Sequence, residues 1–298
     1  MELEFKSDFE QAQQRWEEFW KGENPRPMIS VVVPKPGVEP VAKPPYASGA
    51  EGDFGPVIDR ILRYGETHEF IGEAIPFYCL EFAADHFATL LGAGLRFAEG
   101  QEGGWPVHCV EDWDDADIRF RPETKWWERT AEFARAIRKR CDGKLLIASN
   151  TLVANLDALV ALRGGQRLLW DMIERPDAVH RALERVTKAH GEILDALAHL
   201  LDYGSYGSIN RHGMYSLGRI NVPQCDMSCM ISPAMFSEFA LPYLRREMAH
   251  LDASEYHLDG PDALKHLEAL SAIERLDIIQ WVPGAGRAAT QDWTQLHE

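Results

Sequence analysis

The sequence predicts an α/β fold: a TIM-type (β/α)8 barrel in one domain over residues 1–298, with an N-terminal helical extension over 1–27 and no eighth strand. Three observations predict it. Seven short apolar or β-branched runs recur along the chain, each followed by an amphipathic helix or a long loop, the alternation that builds a parallel sheet. The later runs carry their polar residues at the C-terminal end, where α/β barrels keep their active sites. After Gly286 only twelve residues remain, with no apolar run to close the sheet. Truncation and an open barrel both account for that, and an open edge needs a covering partner to avoid aggregation.

Ser7-Asp8-Phe9-Glu10 has the form of a capping box, and Phe9, Ala12, Trp16, Phe19 and Trp20 follow at helical spacing, predicting a helix over 8–21. Met28–Val33 is a continuous apolar run, expected as strand one of a parallel sheet buried on both faces. Five prolines (Pro34, Pro36, Pro40, Pro44 and Pro45) stiffen the loop from 34 to 46, and 56–64 reads as a helix. Ile75–Phe82 is strand two. Residues 84–121 are glycine-rich (Gly92, Gly94, Gly100, Gly103, Gly104) and irregular, an expected lid at the C-terminal face. Its acidic run, Glu111, Asp112, Asp114, Asp115 and Asp117, reads as a solvated surface before it reads as a metal cluster. Glu123–Arg140 is a helix with Trp126, Trp127, Thr130, Phe133, Ala134 and Ile137 on one side, and Lys144–Ser149 is strand three. Two short helices broken at Gly164-Gly165 precede a long helix from Pro176 to about Leu201, on which His190 reads as a core histidine. Strand four is Ser205–Ile209 and strand five Val222–Met227, with Gln224, Asp226 and Ser228 on one face. Ser232-Pro233 opens a helix that Pro242 should kink. Strand six is Ser254–Asp259 and strand seven Asp277–Val282.

A net charge of −16 excludes nucleic acid and anionic membranes as natural partners, since both need clustered Lys and Arg. No apolar run is long enough to span a bilayer, and the acidic start lacks the form of a secretory signal. Five cysteines, an odd number and widely spaced, suit free thiols in a reducing compartment, so a cytoplasmic location is expected. No glycine loop of dinucleotide form occurs, so no nucleotide cofactor is expected.

Chemistry concentrates on strand six. In Ser254-Glu255-Tyr256-His257-Leu258-Asp259-Gly260-Pro261, alternation puts Glu255, His257 and Asp259 on one face, and three ionisable groups there need partners, a metal or a substrate. Gly260-Pro261 then stops the strand and starts a helix. The expected catalytic residues are His257, Asp226 and Asp259, and the expected metal ligands His257, Asp259 and Glu255. Asn150, Asn210, Arg211, Gln280 and Trp281, at or beyond the ends of neighbouring strands, are expected to bind a small-molecule substrate, although Trp281 can equally pack outward.

The stretch from Cys225 through Ser232-Pro233-Ala234-Met235-Phe236 to Leu241-Pro242-Tyr243, together with Tyr256-His257-Leu258-Asp259-Gly260-Pro261 and Ile279-Gln280-Trp281-Val282-Pro283-Gly284, resembles the uroporphyrinogen decarboxylase-like superfamily. Leu159–Pro176, with Leu162-Arg163-Gly164 and Asp171, resembles it too. The similarity covers roughly residues 120–286 and extends more loosely over the N-terminal third. It is nearer to the methyltransferase-like branch, because Glu23–Val33 has no arginine-rich motif of the true decarboxylase. The resemblance implies methyl transfer with zinc and a corrinoid protein as partner, the zinc being held by a His-x-Cys pair and a later cysteine. Here His257 is kept and Asp259 stands for the cysteine, so zinc or another divalent metal is the expected cofactor. A metal-free decarboxylase with His257 and Asp226 as acid and base, and a non-catalytic ligand-binding barrel, are the alternatives, and a homo-oligomer is a further expectation.

Overall fold

The strand that carries the candidate site also organises the sheet. Residues Ala253–Asp259 alternate faces as their sequence requires: Tyr256 and Leu258 are each 1% exposed among helix side chains, while Glu255, His257 and Asp259 turn to the other side. The computed structural model describes residues 2–97, 103–284, 286–293 and 296, so Gly100 of the expected lid and Ala285 lie outside the described residues.

In chain order the elements are α1 (Phe9–Trp20), β1 (Ser30–Pro34), α2 (Phe54–Thr67), β2 (His68–Gly72), β3 (Phe77–Cys79), α3 (His86–Thr89), β4 (Gly94–Phe97), β5 (Gly104–Val107), α4 (Lys125–Cys141), β6 (Leu146–Ala148), α5 (Asn155–Arg163), α6 (Gly165–Glu174), α7 (Pro176–Leu200), α8 (Tyr203–Tyr206), β7 (Ser208–Ile209), β8 (Tyr215–Ser216), β9 (Ile220–Asn221), α9 (Pro233–Phe239), α10 (Leu241–Met248), β10 (Ala253–Asp259), α11 (Leu267–Ser271) and β11 (Ile278–Val282). β10 is parallel to β9 on one side and to β11 on the other, with His257 opposite Gln280, and β3 is parallel to β6. β7 sits between these groups, the Ser208 hydroxyl accepting from the Ile220 N–H at 2.9 Å. The strands therefore follow one another in an arc, β3-β6-β7-β9-β10-β11, which does not close into a barrel among the described residues.

Two cores hold the arc. The larger lies between strands and helices. There Phe133 of α4 is fully buried and stacks on Phe54 at 4.7 Å, a burial that contributes about 2–3 kcal/mol. Thr124 caps α4 by accepting from the Trp127 N–H at 3.2 Å. The smaller core plugs the N-terminal end of the arc. Phe9, Ala12 and Trp16 of α1 pack there with Leu146, Ala148, Ile209 and Tyr215, and the Glu4 N–H reaches Gly143 O just before β6. With one end plugged, the opposite end is left for function.

Several expected features differ. The capping box does not form: α1 starts at Phe9 with Asp8 as N-cap and no side-chain cap, and Asp8 instead pairs with the buried Lys6 at 2.9 Å. The run at Met28–Val33 is not a buried barrel strand. β1 pairs antiparallel with β2, and Ile29, Val31, Val32 and Ile71 are 41–50% exposed, because nothing among the described residues covers this ribbon. Strand five is also corrected. Only Ile220–Asn221 is strand, and Asp226–Met230 is a 3-10 turn, so Asp226 reaches the site from a turn. The expected strand four is shortened: Ser205 and Tyr206 end the short helix α8, and Ser208–Ile209 is strand. The expected lid contains α3 and the β4–β5 hairpin, and its acidic run is tied to the helices behind it through Asp112 and Asp114 with Arg175 and Glu111 with Arg167. Pro242 does interrupt its helix, where α9 ends and α10 begins. The five cysteines are unpaired, and His190 is buried with burial driving its pKa down to about 3. No helix of the described residues is long and apolar enough to cross a membrane.

Candidate metal centre and adjoining cavity

His257 and Asp259 stand on one face at the C-terminal end of β10, where Gly260 leaves the strand with φ 78, a left-handed turn that favours glycine. Asp226 is brought to them by α5. The Asp157 carboxylate accepts the N–H groups of Asp226 (2.8 Å) and Met227 (2.9 Å), which holds the turn in place. Asn155 secures the start of the same helix from a left-handed backbone (φ 45), its Nδ2 donating to Gln224 O at 2.8 Å. The result is a trio in which one ligand atom each from Asp226, His257 and Asp259 lies within 4.8 Å of the others.

The imidazole is oriented for ligation. Its Nδ1–H donates to Gln280 Oε1 at 2.5 Å, across the register of β10 and β11, which leaves the Nε2 lone pair free. Burial, with Asp259 beside it, pushes the Asp226 carboxyl up against the pull of His257 and Arg211, so a cation would relieve a repulsion already present. Gln280→Leu should therefore weaken divalent-metal affinity about 10- to 100-fold while leaving the fold intact, read by competition with a chelating dye and by circular dichroism.

Glu255, an expected ligand, is elsewhere. It lies two residues deeper on β10, is 4% exposed, and accepts from Asn210 Nδ2 (2.6 Å) and His212 Nδ1 (2.9 Å). Asn210, expected at the substrate, thus supports Glu255, and its Oδ1 accepts the N–H groups of His212 and Met214. Arg211 leans on the same support, its Nε–H donating to His212 Nε2 at 3.2 Å, and it lines a cavity of 330 Å³ that also includes Asp85, Asp157, Gln224 and Asp226. Asn150 is fully buried beside Thr151 with its Oδ1 unpartnered. Trp281 is paired in register with Leu258, on the helix side, and packs edge-on against Trp293 at 5.2 Å, so it faces away from the trio.

Burial sets the electrostatics around this mouth. It raises Asp157 to about 7, with Asp226 adding to the effect, and raises Glu81 to about 7; it also lifts Asp85, again with Asp226. Lys43, from the proline-rich loop, is brought down to about 8 by burial and sits over the Phe77 ring at 3.8 Å. Sequence reasoning missed Asp85, Asp157, His212 and Gln224 as site residues. Gln224 alone carried a signal, the alternation it shares with Asp226, and it does bond Asp226 through Nε2 at 3.0 Å.

One solved structure has a similar fold. A methyltransferase from Methanosarcina mazei superposes on 90% of the chain and 75% of its own length, with a TM-score of 0.61 and 13% identity. The two share a fold. At that identity the likeness speaks for the TIM-like fold alone, and neither a known family model nor a curated protein matches the chain.

Proposed function

We propose that the chain is a methyltransferase-like barrel enzyme whose reaction centre is a divalent cation held by Asp226, His257 and Asp259. The observation that carries this reading is the trio itself, at the open end of the strand arc with an imidazole lone pair freed by Gln280. One nitrogen and two carboxylate donors suit a harder ion than a thiolate site does, so Mn²⁺, Fe²⁺, Co²⁺ and Zn²⁺ fit better than a strictly thiophilic centre. A divalent cation there supplies a Lewis acid that makes a thiol, amine or hydroxyl acceptor nucleophilic at neutral pH.

The protein's own groups orient and enclose. Gln280 fixes the imidazole, Asp157 fixes the turn of Asp226, and the cavity beside them receives the methyl acceptor. In the transfer the acceptor's lone pair would take the methyl group, the donor would keep the pair of the broken donor–methyl bond and the acceptor's proton would pass to solvent; the resemblance makes a corrinoid protein the methyl carrier. The decarboxylase reading gains nothing from the geometry, because Nδ1 of His257 is bonded to Gln280 and no hydrogen bond joins His257 to Asp226 among the described residues. Metal analysis of the purified chain tests the proposal. About one divalent ion per chain is expected, lost in His257→Ala and in Asp259→Asn. A wild-type chain that binds none of the four ions after dialysis against each would sink it.

A further inference from the structure

We propose that the cavity beside the trio takes a small zwitterion, with its carboxylate on Arg211 and its cationic centre against Asp85. The inference rests on the reading of the trio as the reaction centre and names the substrate class for it. Its starting point is two opposite charges that the fold leaves without each other.

Arg211 is held from behind by neutral and anionic groups in series. Its Nε–H donates to His212 Nε2, His212 Nδ1–H donates to the buried Glu255, and Nη2 makes a long contact of 3.4 Å with Gln224 Oε1. No carboxylate lies within ion-pair reach of the guanidinium among the described residues. A guanidinium braced at one edge presents its remaining donors as a fork, the geometry that binds a carboxylate through two bonds.

Asp85 is the counterpart. It follows Ala84 at the start of α3 and lines the cavity, and among the described residues its carboxylate makes no hydrogen bond or ion pair. Asp157 extends the negative wall, while Asp226 belongs to the cation. The rest of the lining is apolar, with Val153, Val160, Met227 and Met230, which suits a short hydrocarbon body. Charge decides the ligand class. An anion alone would satisfy Arg211 and be repelled by Asp85 and Asp157; a cation alone would satisfy Asp85 and leave the Arg211 guanidinium unpaired. A zwitterion satisfies both, and 330 Å³ is the low end of small-molecule sites, so it is of amino-acid size.

Calorimetry on the full chain at pH 8 tests this with two zwitterions, glycine betaine and L-methionine. The cation-only analogues are choline and L-methioninol, and the anion-only analogues 3,3-dimethylbutyrate and 4-(methylthio)butyrate. At least one zwitterion should bind on the order of tenfold or more tighter than both of its analogues. Arg211→Gln should erase its advantage over the cation, and Asp85→Asn its advantage over the anion. Failure of both zwitterions to bind, or equal affinity for an analogue, overturns the proposal. His257→Ala separates the two readings. Zwitterion selectivity that survives when wild type and variant alike bind no metal leaves this proposal standing and removes the metal centre, whereas lost selectivity in a chain that holds its metal removes this proposal alone.

Discussion

Urea unfolding of the metal-free chain should show the wild type losing stability, relative to a Glu81→Gln, Asp157→Asn double variant, as pH rises from about 4 to about 7. Asp157 and Glu81 are the cause. Burial raises each to about 7, so the folded chain keeps protons that the unfolded chain has already lost at pH 5 or 6. Stability falls with pH wherever the native state binds more protons, and each group is expected to cost on the order of 3 kcal/mol across that window. Glu73 acts in the opposite sense and at lower pH. Burial opposes its ionisation, yet bonds from Arg26, the Ile29 N–H and Arg15 outweigh this and hold it below the usual range. Its contribution is present at neutral pH and is lost as pH falls below about 4. His86 and His190, each brought down to about 3 by burial, act against these carboxyls as pH falls below about 6.5, in wild type and variant alike, so the difference between the two chains carries the sign. A difference between the two chains that is flat from pH 5 to pH 8 would show that these carboxyls ionise freely.

Asp157→Ala should be the most informative single substitution. The side chain is 7% exposed and is the acceptor for two N–H groups of the turn that carries Asp226. Removing it leaves two donors unpaired, at about 1–3 kcal/mol each, so a loss of roughly 2–6 kcal/mol is expected at pH 5, where the wild-type carboxyl is protonated. At pH 8 the wild type bears the cost of the buried charge and the variant does not, so the gap between them should narrow by a few kcal/mol. The turn should loosen at either pH, and divalent-metal affinity should fall with it. Urea melts at the two pH values and a metal titration check this together. A gap that widens with pH would mean that Asp157 is ionised without penalty, contrary to its surroundings.

β10 was legible in the sequence because its pattern is local: alternation, a glycine-proline stop, and the placement of His257 and Asp259 depend on neighbours one to three residues away. The helices Lys125–Cys141 and Pro176–Leu200 were legible for the same reason, each burying one stripe. What escaped depends on distant partners. An apolar run such as Ile29–Val33 reports that a strand is favoured and says nothing of what covers it. Here its partner is β2, with His68 and Glu69, and the ribbon stays exposed. Val222–Met227 has strand character, but Asp157, some seventy positions earlier, draws the N–H groups of Asp226 and Met227 out of the sheet. Glu255 looked equivalent to His257 by alternation alone. Only the loop from Asn210 to His212, folded against it, shows why that carboxylate is committed to support Arg211.

The imidazole of the trio owes its tautomer to Gln280, and Gln280 belongs to β11, which among the described residues is hydrogen-bonded to β10 alone. A strand with one neighbour is the part of a sheet most easily shifted along its length. The cross-strand bond makes that freedom an allosteric handle: a chain docking along the outer margin of β11 would tighten or relax the grip on Nδ1, and the cation would sense it without being touched.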